Sequence, residues 1–495
     1  MIDVLLVTPP SRAMVYQDLA GSLAAIEPPV WSGLIATYLT RRGLSVEILD
    51  AEAEHLDGRA TAKKIATKAA RLTVFVVYGQ QPSASTQCMP GARQTAEFLS
   101  ALQFDGKTLV IGTHASALPE RTLSEESFDF VCQGEGPLTV DALVHHLNGQ
   151  ASIESVPGLW YRQDGAPKSN RVAEPITDLD RDLPDQAWEL LDMSRYRAHN
   201  WHCFGDLGSR DRYASLQTSL GCPFKCSFCC INAPFGKAAI RCWSPDNVVA
   251  RIENLVSRYG IRNIKIPDEM FVLNPKQVVA ICDQIIAKGL DLNLWAYARI
   301  DTLGDRAMLS KLSRAGFRWL AVGIESASRY VRDGVAKGRF GNHDIVTTVQ
   351  AVRDQGINIV GNYIFGLPDD TPASMQDTLD LAMTLNTEWA NFYCAMAYPG
   401  SALYSMAKKK GWALPDDSGG PGWIGYSQHA FDCLPLRTEA LGATEVLDFR
   451  DRAFDRYFGN PNYLSLVETK FGAETRAHIE SMASYRLPRR HHSKV

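Results

Sequence analysis

Two series of short apolar runs, β-branched in the first, alternate with helix-length amphipathic segments and limit what this chain can fold into. In the first, residues 1 to about 150, the runs VLLVTPP, LSVEILDA, LTVFVVYG, KTLVIGTHAS and FDFVCQGEG alternate with segments such as VWSGLIATYLTRRG and PGARQTAEFLSALQ. Nearly continuous apolar strands joined by amphipathic helices require right-handed crossovers and a parallel sheet covered on both faces. The expectation is a doubly wound, Rossmann-like α/β domain over 1–150. Such sheets offer ligands the small and polar residues of their carboxyl edge. Here these are Thr8, Tyr78, Gln80, Gly112, Thr113, His114, Gly134, Glu135 and Gly136.

Residues 151–210 break the pattern with VPGLWYRQDGAPKSNRV and LDRDLPDQAWELLDMSRY, rich in proline, aspartate and turn residues. They read as an extended connector with one small hairpin. Alternation resumes over 211–405, from SLQTSLG through IRNIKIPDEMF, LNLWAYARID, WLAVGIES and INIVGNYIFG to ANFYCAMAYPG. About six β/α units make a partial (β/α)6 barrel whose working face is the carboxyl ends of its strands. Residues 406–495 read as mainly helical, with apolar positions spaced by three and four in EVLDFRDRAFDRYFGNPNYLSLVETKFG. The basic tail RLPRRHHSKV reads as disordered.

A net charge of -4 gives no global reason to expect a nucleic-acid partner. The amino terminus lacks the basic lead and cleavage site of a secretory signal, and no window of about 18 uninterrupted apolar residues occurs. The reading is a cytoplasmic, membrane-free protein with reduced thiols. Its eleven cysteines are mostly scattered, except for four in GCPFKCSFCC, Gly221 to Cys230. Cys222, Cys226 and Cys229 have the spacing C-x3-C-x2-C, and Cys230 follows directly. Structural zinc normally takes four ligands, usually as two separated pairs, and no second pair lies nearby. Three thiolates of one loop can hold three irons of a cubane and leave the fourth iron open to an exchangeable ligand. Gly221 and Pro223 suit the tight loop this needs. Cys230 reads as a packed neighbour, because adjacent side chains point in different directions.

This spacing, with Phe228 before Cys229 and a position just after the first strand of a β/α series, resembles the radical S-adenosylmethionine enzymes. The resemblance implies a [4Fe-4S] cluster on Cys222, Cys226 and Cys229 and a bound S-adenosylmethionine (SAM) that is reductively cleaved to a 5'-deoxyadenosyl radical. It implies acidic and polar contacts for SAM at successive strand ends: Asp268 or Glu269, then Arg299, then Glu325 with Ser326. Gly361 and Asn362 follow on the next strand, where a missing side chain lets adenine approach the backbone.

The doubly wound domain ahead of this barrel resembles the cobalamin-binding subclass of the same enzymes. The strand-end groups named above, together with Ser83 and Ser85, would then lie along the corrinoid's nucleotide tail and amide rim. The loop after the first strand, PPSRAMVYQDLAG, has no histidine where other cobalamin domains carry D-x-H-x-x-G, so cobalt lacks that lower ligand. The implied activity is methyl transfer from methylcobalamin to a carbon, aromatic or heteroaromatic among the options, or to a phosphinate, in a small or carrier-tethered intermediate of natural-product or antibiotic biosynthesis. An external flavodoxin- or ferredoxin-type donor would supply electrons. The first rival is a cyclase or rearrangement enzyme of the same subclass that transfers no methyl group. The non-enzymatic rival is a zinc module in a binding protein. Substrate is expected between the two domains, bordered by the barrel mouth and by the region near Trp423 and Tyr426. Tyr297, Tyr363, Tyr393 and Tyr398 point at that mouth by strand position.

Overall fold

Val4–Thr8 (β1), Val46–Asp50 (β2), Leu72–Val76 (β3), Lys107–Ile111 (β4) and Phe130–Cys132 (β5) form the parallel part of the first sheet in a computed structural model of the chain. The structure describes residues 2–21, 23–79, 84–338 and 340–492. The sheet runs β2-β1-β3-β4-β5 and is extended by an antiparallel hairpin, Leu159–Gln163 (β6) and Ala166–Ser169 (β7). The hairpin read as part of the connector is thus hydrogen-bonded into the first domain's sheet. Every residue of β3 is buried, as an apolar strand covered by helices on both faces must be. Strand order reverses between β1 and β3, and the carboxyl ends of strands flanking such a reversal are where open α/β sheets bind ligands.

The second sheet has six parallel strands in the order Tyr213–Ser215 (β8), Asn263–Ile266 (β11), Asn293–Arg299 (β12), Phe317–Glu325 (β13), Asn358–Phe365 (β14) and Trp389–Cys394 (β15). Between β8 and β11 lie Ser219–Leu220 (β9) and Arg241–Cys242 (β10), a short antiparallel pair. The stretch SLQTSLG is therefore two strands in two sheets rather than one. The chain turns at Thr218, whose amide and hydroxyl both donate to the Asp268 carboxylate. β8 and β15 form the two edges of the sheet, so it is an open half-barrel. The intervening helices start and stop where their ends prescribe: Ser244, Asn274 and Asp305 accept backbone N–H groups as N-caps, and Gly260 and Gly289 end their helices with positive φ.

The amino ends of these strands are stoppered by the connector. Trp201 packs edge-on against Trp295 and Trp319 at 5.0 and 5.3 Å, and Phe204 meets Trp319 and Trp389. The carboxyl ends stay open. Helices Ala443–Phe458, Pro461–Phe471 and Ala473–Ala483 make up the carboxyl region, with Tyr457 and Phe458 packed against Phe392 and Trp389 of β15.

The tail contradicts its reading as disordered over the part that is described. Arg489, 1% exposed, forms a two-pronged ion pair with Asp451 and donates to the Ala430 carbonyl, and the Arg490 amide donates to Phe431. Tyr485 donates to Asp18 and Gln17 to the Pro488 carbonyl, so the tail straps the carboxyl helices to the amino-terminal domain. The basic residues are held by acidic partners folded beside them, which a solvated-tail reading ignores.

Candidate functional site

The loop carrying the three cysteines is built by its own backbone. Gly221 has φ +84°, and a Cβ there would lie 2.5 Å from the Ala239 carbonyl oxygen, so no other residue fits this turn. Asn232 closes the loop, accepting from the Cys222 amide at 3.3 Å and donating to its carbonyl at 3.0 Å. The Cys229 amide donates to the Cys226 carbonyl, and Ser227 is tied to Val335 and Leu403.

Cys222, Cys226 and Cys229 all line one cavity of about 890 Å³ over the carboxyl ends of the half-barrel. Cys229 is exposed to this cavity rather than to the outer surface, and burial raises its thiol pKa well above the ordinary value. Burial also raises Cys222. Free thiolates are disfavoured here, so deprotonation must accompany metal binding. Among the described residues no three Cys, His, Asp or Glu side chains are already gathered as a metal cluster. What the fold supplies is three thiols of one short loop opening into one space, a donor set suited to a cubane with a free corner. Cys230 also borders the cavity, buried, its thiol pushed up to about 12 by burial.

Alternation along each strand decides which predicted residues face this cavity. Arg299 does: it is buried, lies over the Phe224 ring at 4.1 Å, pairs with Asp301 and reaches Cys226 Sγ at 3.7 Å. Glu325 does, paired with Lys337 Nζ at 2.5 Å. Its φ of +65° sits at a register shift between β13 and β14, a strained position for a residue with a side chain. Asn362 does, accepting from Asn391 Nδ2 at 2.9 Å.

Of the two acidic neighbours, Glu269 faces the cavity and Asp268 does not. Asp268 is taken up by Thr218 and Ser219, which makes it the anchor at the root of the cysteine loop. Burial, with Asp268 next to it, raises the Glu269 carboxyl to about 8.

Ser326 and Gly361 turn away. Ser326 shares its hydroxyl with Thr378 at 3.2 Å. Gly361 has no side chain because a Cβ there would lie 2.8 Å from the Tyr363 ring, so the space adenine was expected to use belongs to Tyr363. Of the four tyrosines, Tyr297, Tyr393 and Tyr398 line the cavity and Tyr363 stacks on Phe392 instead.

A second cavity of about 140 Å³ lies between the carboxyl ends of the first sheet and the cysteine loop, with Tyr16 and Glu269 bordering both spaces. Thr8, Tyr78 and Thr113 line it, and the Thr8 and Thr113 hydroxyls are buried with no hydrogen-bond partner among the described residues. Orphaned hydroxyls at the strand reversal fit a ligand rich in amides and hydroxyls.

The other predicted groups of this domain do not open onto either cavity. The Ser85 hydroxyl donates to the Val77 carbonyl and accepts from the His114 amide, beside Gly112. His114 is held by Thr86 at 3.3 Å and by the Trp423 ring at 4.4 Å, and burial lowers its pKa to about 3, leaving it neutral. Gly134 donates to Ser116, Glu135 accepts from Ile176 and pairs with Arg241, and Gly136 caps helix Pro137–Leu147. Gln80 and Ser83 lie outside the described residues.

Trp423 and Tyr426 do not border the large cavity. Trp423 donates to Glu126 and lies under Arg121 at 4.6 Å, and Tyr426 donates to Asp416. Aromatic content marked them, but their polar edges are matched to acids behind the cavity. Lys265, on the inner face of β11, was missed; it pairs with Glu27 from the first domain at 3.0 Å. Although burial works against it, Lys265 and His199 hold the Glu27 carboxyl at about 2. Also missed was the rim of Asp448, Asp451, Arg452 and Asp455, one face of helix Ala443–Phe458 at helical spacing.

The profile of the radical SAM superfamily matches residues 216–382, and that of the B12-binding domain residues 16–144. An uncharacterized methyltransferase of Pyrococcus horikoshii is 28% identical over 408 residues, covering 82% of this chain and 83% of its own. The anaerobic magnesium-protoporphyrin IX monomethyl ester cyclase of Rubrivivax gelatinosus is 25% identical over 463 residues, covering 92% and 78%. Among solved structures, the radical SAM methyltransferase TsrM of Kitasatospora setae superposes with a TM-score of 0.67 at 18% identity, covering 98% of this chain and 99% of that one. The cobalamin-dependent radical SAM enzyme OxsB gives 0.71 at 14% identity, covering 98% and 72%. These two share the fold. The chain carries a radical SAM domain with a B12-binding domain ahead of it, which implies a [4Fe-4S] cluster, SAM and cobalamin as its cofactors.

Proposed function

We propose that this radical SAM enzyme transfers a methyl group by way of cobalamin to a carbon, aromatic or heteroaromatic among the options, or to a phosphinate, of a small or carrier-tethered natural-product intermediate. The observation that carries the reading is the shared border of the two cavities: Tyr16 and Glu269 line both, so a corrinoid at the first sheet's edge and SAM over the cysteine loop would face one substrate space. When bound, the cluster supplies the electron that cleaves SAM, and cobalamin carries the methyl group.

The chain's own part is to hold, orient and exclude water. Cys222, Cys226 and Cys229 would hold the cluster, with Arg299 donating toward Cys226. Glu325, Asn362 and Glu269 are the cavity-facing groups suited to the amino, carboxylate and ribose hydroxyls of SAM. Thr8 and Thr113 would satisfy their hydroxyls on the corrinoid's amides. In this reading residues 1–150 carry cobalamin, 211–405 carry the cluster and SAM, and 406–495 roof the substrate space. An external flavodoxin- or ferredoxin-type protein is the electron source.

Anaerobic reconstitution with iron, sulfide, cobalamin and methyl-labelled SAM tests this. S-adenosylhomocysteine and 5'-deoxyadenosine should form together when substrate is present, and each of Cys222→Ala, Cys226→Ala and Cys229→Ala should abolish deoxyadenosine. The likeness to the Rubrivivax gelatinosus cyclase favours a second reading, ring closure or rearrangement without methyl transfer. It predicts deoxyadenosine with no S-adenosylhomocysteine.

A further inference from the structure

We infer that the substrate is an aromatic compound bearing an anionic group, a carboxylate or a phosphate, taken up by Arg452 at the rim of the large cavity. The inference rests on reading that cavity as the substrate's. Its walls divide by chemistry. Trp295, Tyr297, Trp389, Phe392 and Tyr393 present aromatic faces and edges from the half-barrel, which suit a flat apolar body. A charged rim adjoins this wall, formed by Asp448, Asp451, Arg452 and Asp455 of helix Ala443–Phe458, which packs on β15, and by Tyr485, Arg486, Leu487 and His492 of the carboxyl-terminal strap.

The helix alone would make this rim acidic. Three aspartates there face two arginines, Arg450 and Arg452. The strap reverses the sign. Arg489 engages Asp451 at 3.0 and 3.1 Å, Arg486 lies 3.1 Å from Asp455, and His492 reaches Asp451 at 3.1 Å and Asp448 at 3.4 Å. Arg450 is spent on Asp451 and on the Phe392 carbonyl.

Every aspartate of the rim therefore has a cationic or histidine partner. Arg452 is the one rim arginine with no ion pair among the described residues, and it lies at the solvent edge of the cavity. A guanidinium fork so placed matches a carboxylate or phosphate in two-pronged geometry. His429 borders the same space, driven neutral by burial and by Arg450 and Arg489, and its buried Nδ1 has no hydrogen-bond partner among the described residues.

Binding of 2-naphthoate, 2-naphthyl phosphate and uncharged 2-naphthamide to the reconstituted full-length protein, measured calorimetrically without turnover, tests the inference. At low salt at least one anion should bind about tenfold more tightly than the amide, the scale of one charge-assisted hydrogen bond. The tighter anion identifies the group. The preference should weaken with added salt and vanish in Arg452→Gln, which keeps the amide's affinity. A chain ending at Ser484 should lose the preference too, because the rim reverts to net acidic. Equal affinities, a preference that survives Arg452→Gln, or no anion binding at millimolar concentration would overturn it. None of these outcomes depends on whether S-adenosylhomocysteine forms, so the methyl-transfer reading stands or falls separately.

Discussion

Arg299 Nη1 lies 3.7 Å from Cys226 Sγ while Asp301 and the Lys337 carbonyl hold the rest of the guanidinium in place. With Cys226 as the proposed cluster ligand, a fixed positive charge donating to its sulfur would stabilise the reduced, more negative state and so raise the reduction potential. Arg299→Gln should retain near-stoichiometric iron but shift the cluster's midpoint to more negative potential in an EPR-monitored redox titration. An unchanged midpoint would mean that Arg299 serves only to brace Asp301 and Lys337.

The turn at Gly221 offers a sharper structural test. Alanine there must tolerate φ +84° and a carbonyl oxygen 2.5 Å from its methyl group. The left-handed conformation alone costs about 1–2 kcal/mol, and the backbone contact adds to it. Gly221→Ala should therefore lower the unfolding midpoint and cut iron incorporation together, read by thermal denaturation and iron analysis. Full iron loading with a normal midpoint would show that the loop is not set by this residue.

Much of this arrangement was legible because it is local. The half-barrel strands are short apolar or aromatic runs set between helices that carry their own caps, so most strand ends and the cysteine loop fall where spacing puts them. Period-two alternation separates Asn362 from Gly361 and puts Gly323 and Glu325 on one face, but it does not reveal the register shift and positive φ at Glu325. Asp268 and Glu269 could be told apart only through Thr218 and Ser219, some fifty residues upstream. The strap was hidden for the same reason, since a basic run reads as solvated until Asp448, Asp451 and Asp455 are known to lie beside it.

Asp50 closes β2 in the amino-terminal domain, accepting from Tyr196 at 3.0 Å and from the amides of Glu52 and Ala53. Burial nonetheless raises its carboxyl from 3.8 to about 7. With the folded value above the unfolded one, the native state holds the proton more tightly. The Asp50 contribution is most favourable below pH 3.8 and is lost progressively as pH rises to about 7. The separation corresponds to a loss on the order of 4 kcal/mol. Asp50→Asn, which cannot ionise, should gain stability relative to the parent between pH 5 and 8 in denaturant titrations. A constant difference across that range would contradict the assignment.

Asp451 is the single acid that both buried arginines of the roof share. Arg450 and Arg489, both almost fully enclosed, bond to it, and their joint field holds its carboxyl far below the usual range. Removing it strands two guanidinium groups away from water, and an uncompensated buried charge costs about 3–5 kcal/mol. Asp451→Ala should lose stability on that scale in chemical denaturation. Its second consequence is local: with Arg489 unpaired the strap loses its buried anchor, so trypsin should cut after Arg486 and Arg489 in the variant under conditions where the parent resists. Arg489→Ala should free the strap equally but destabilise less, because Asp451 keeps Arg450. If Asp451→Ala left both stability and cleavage unchanged, the strap would be held by its contacts to Asp18 and Gln17 instead, and the sign of the rim would not depend on this ion pair.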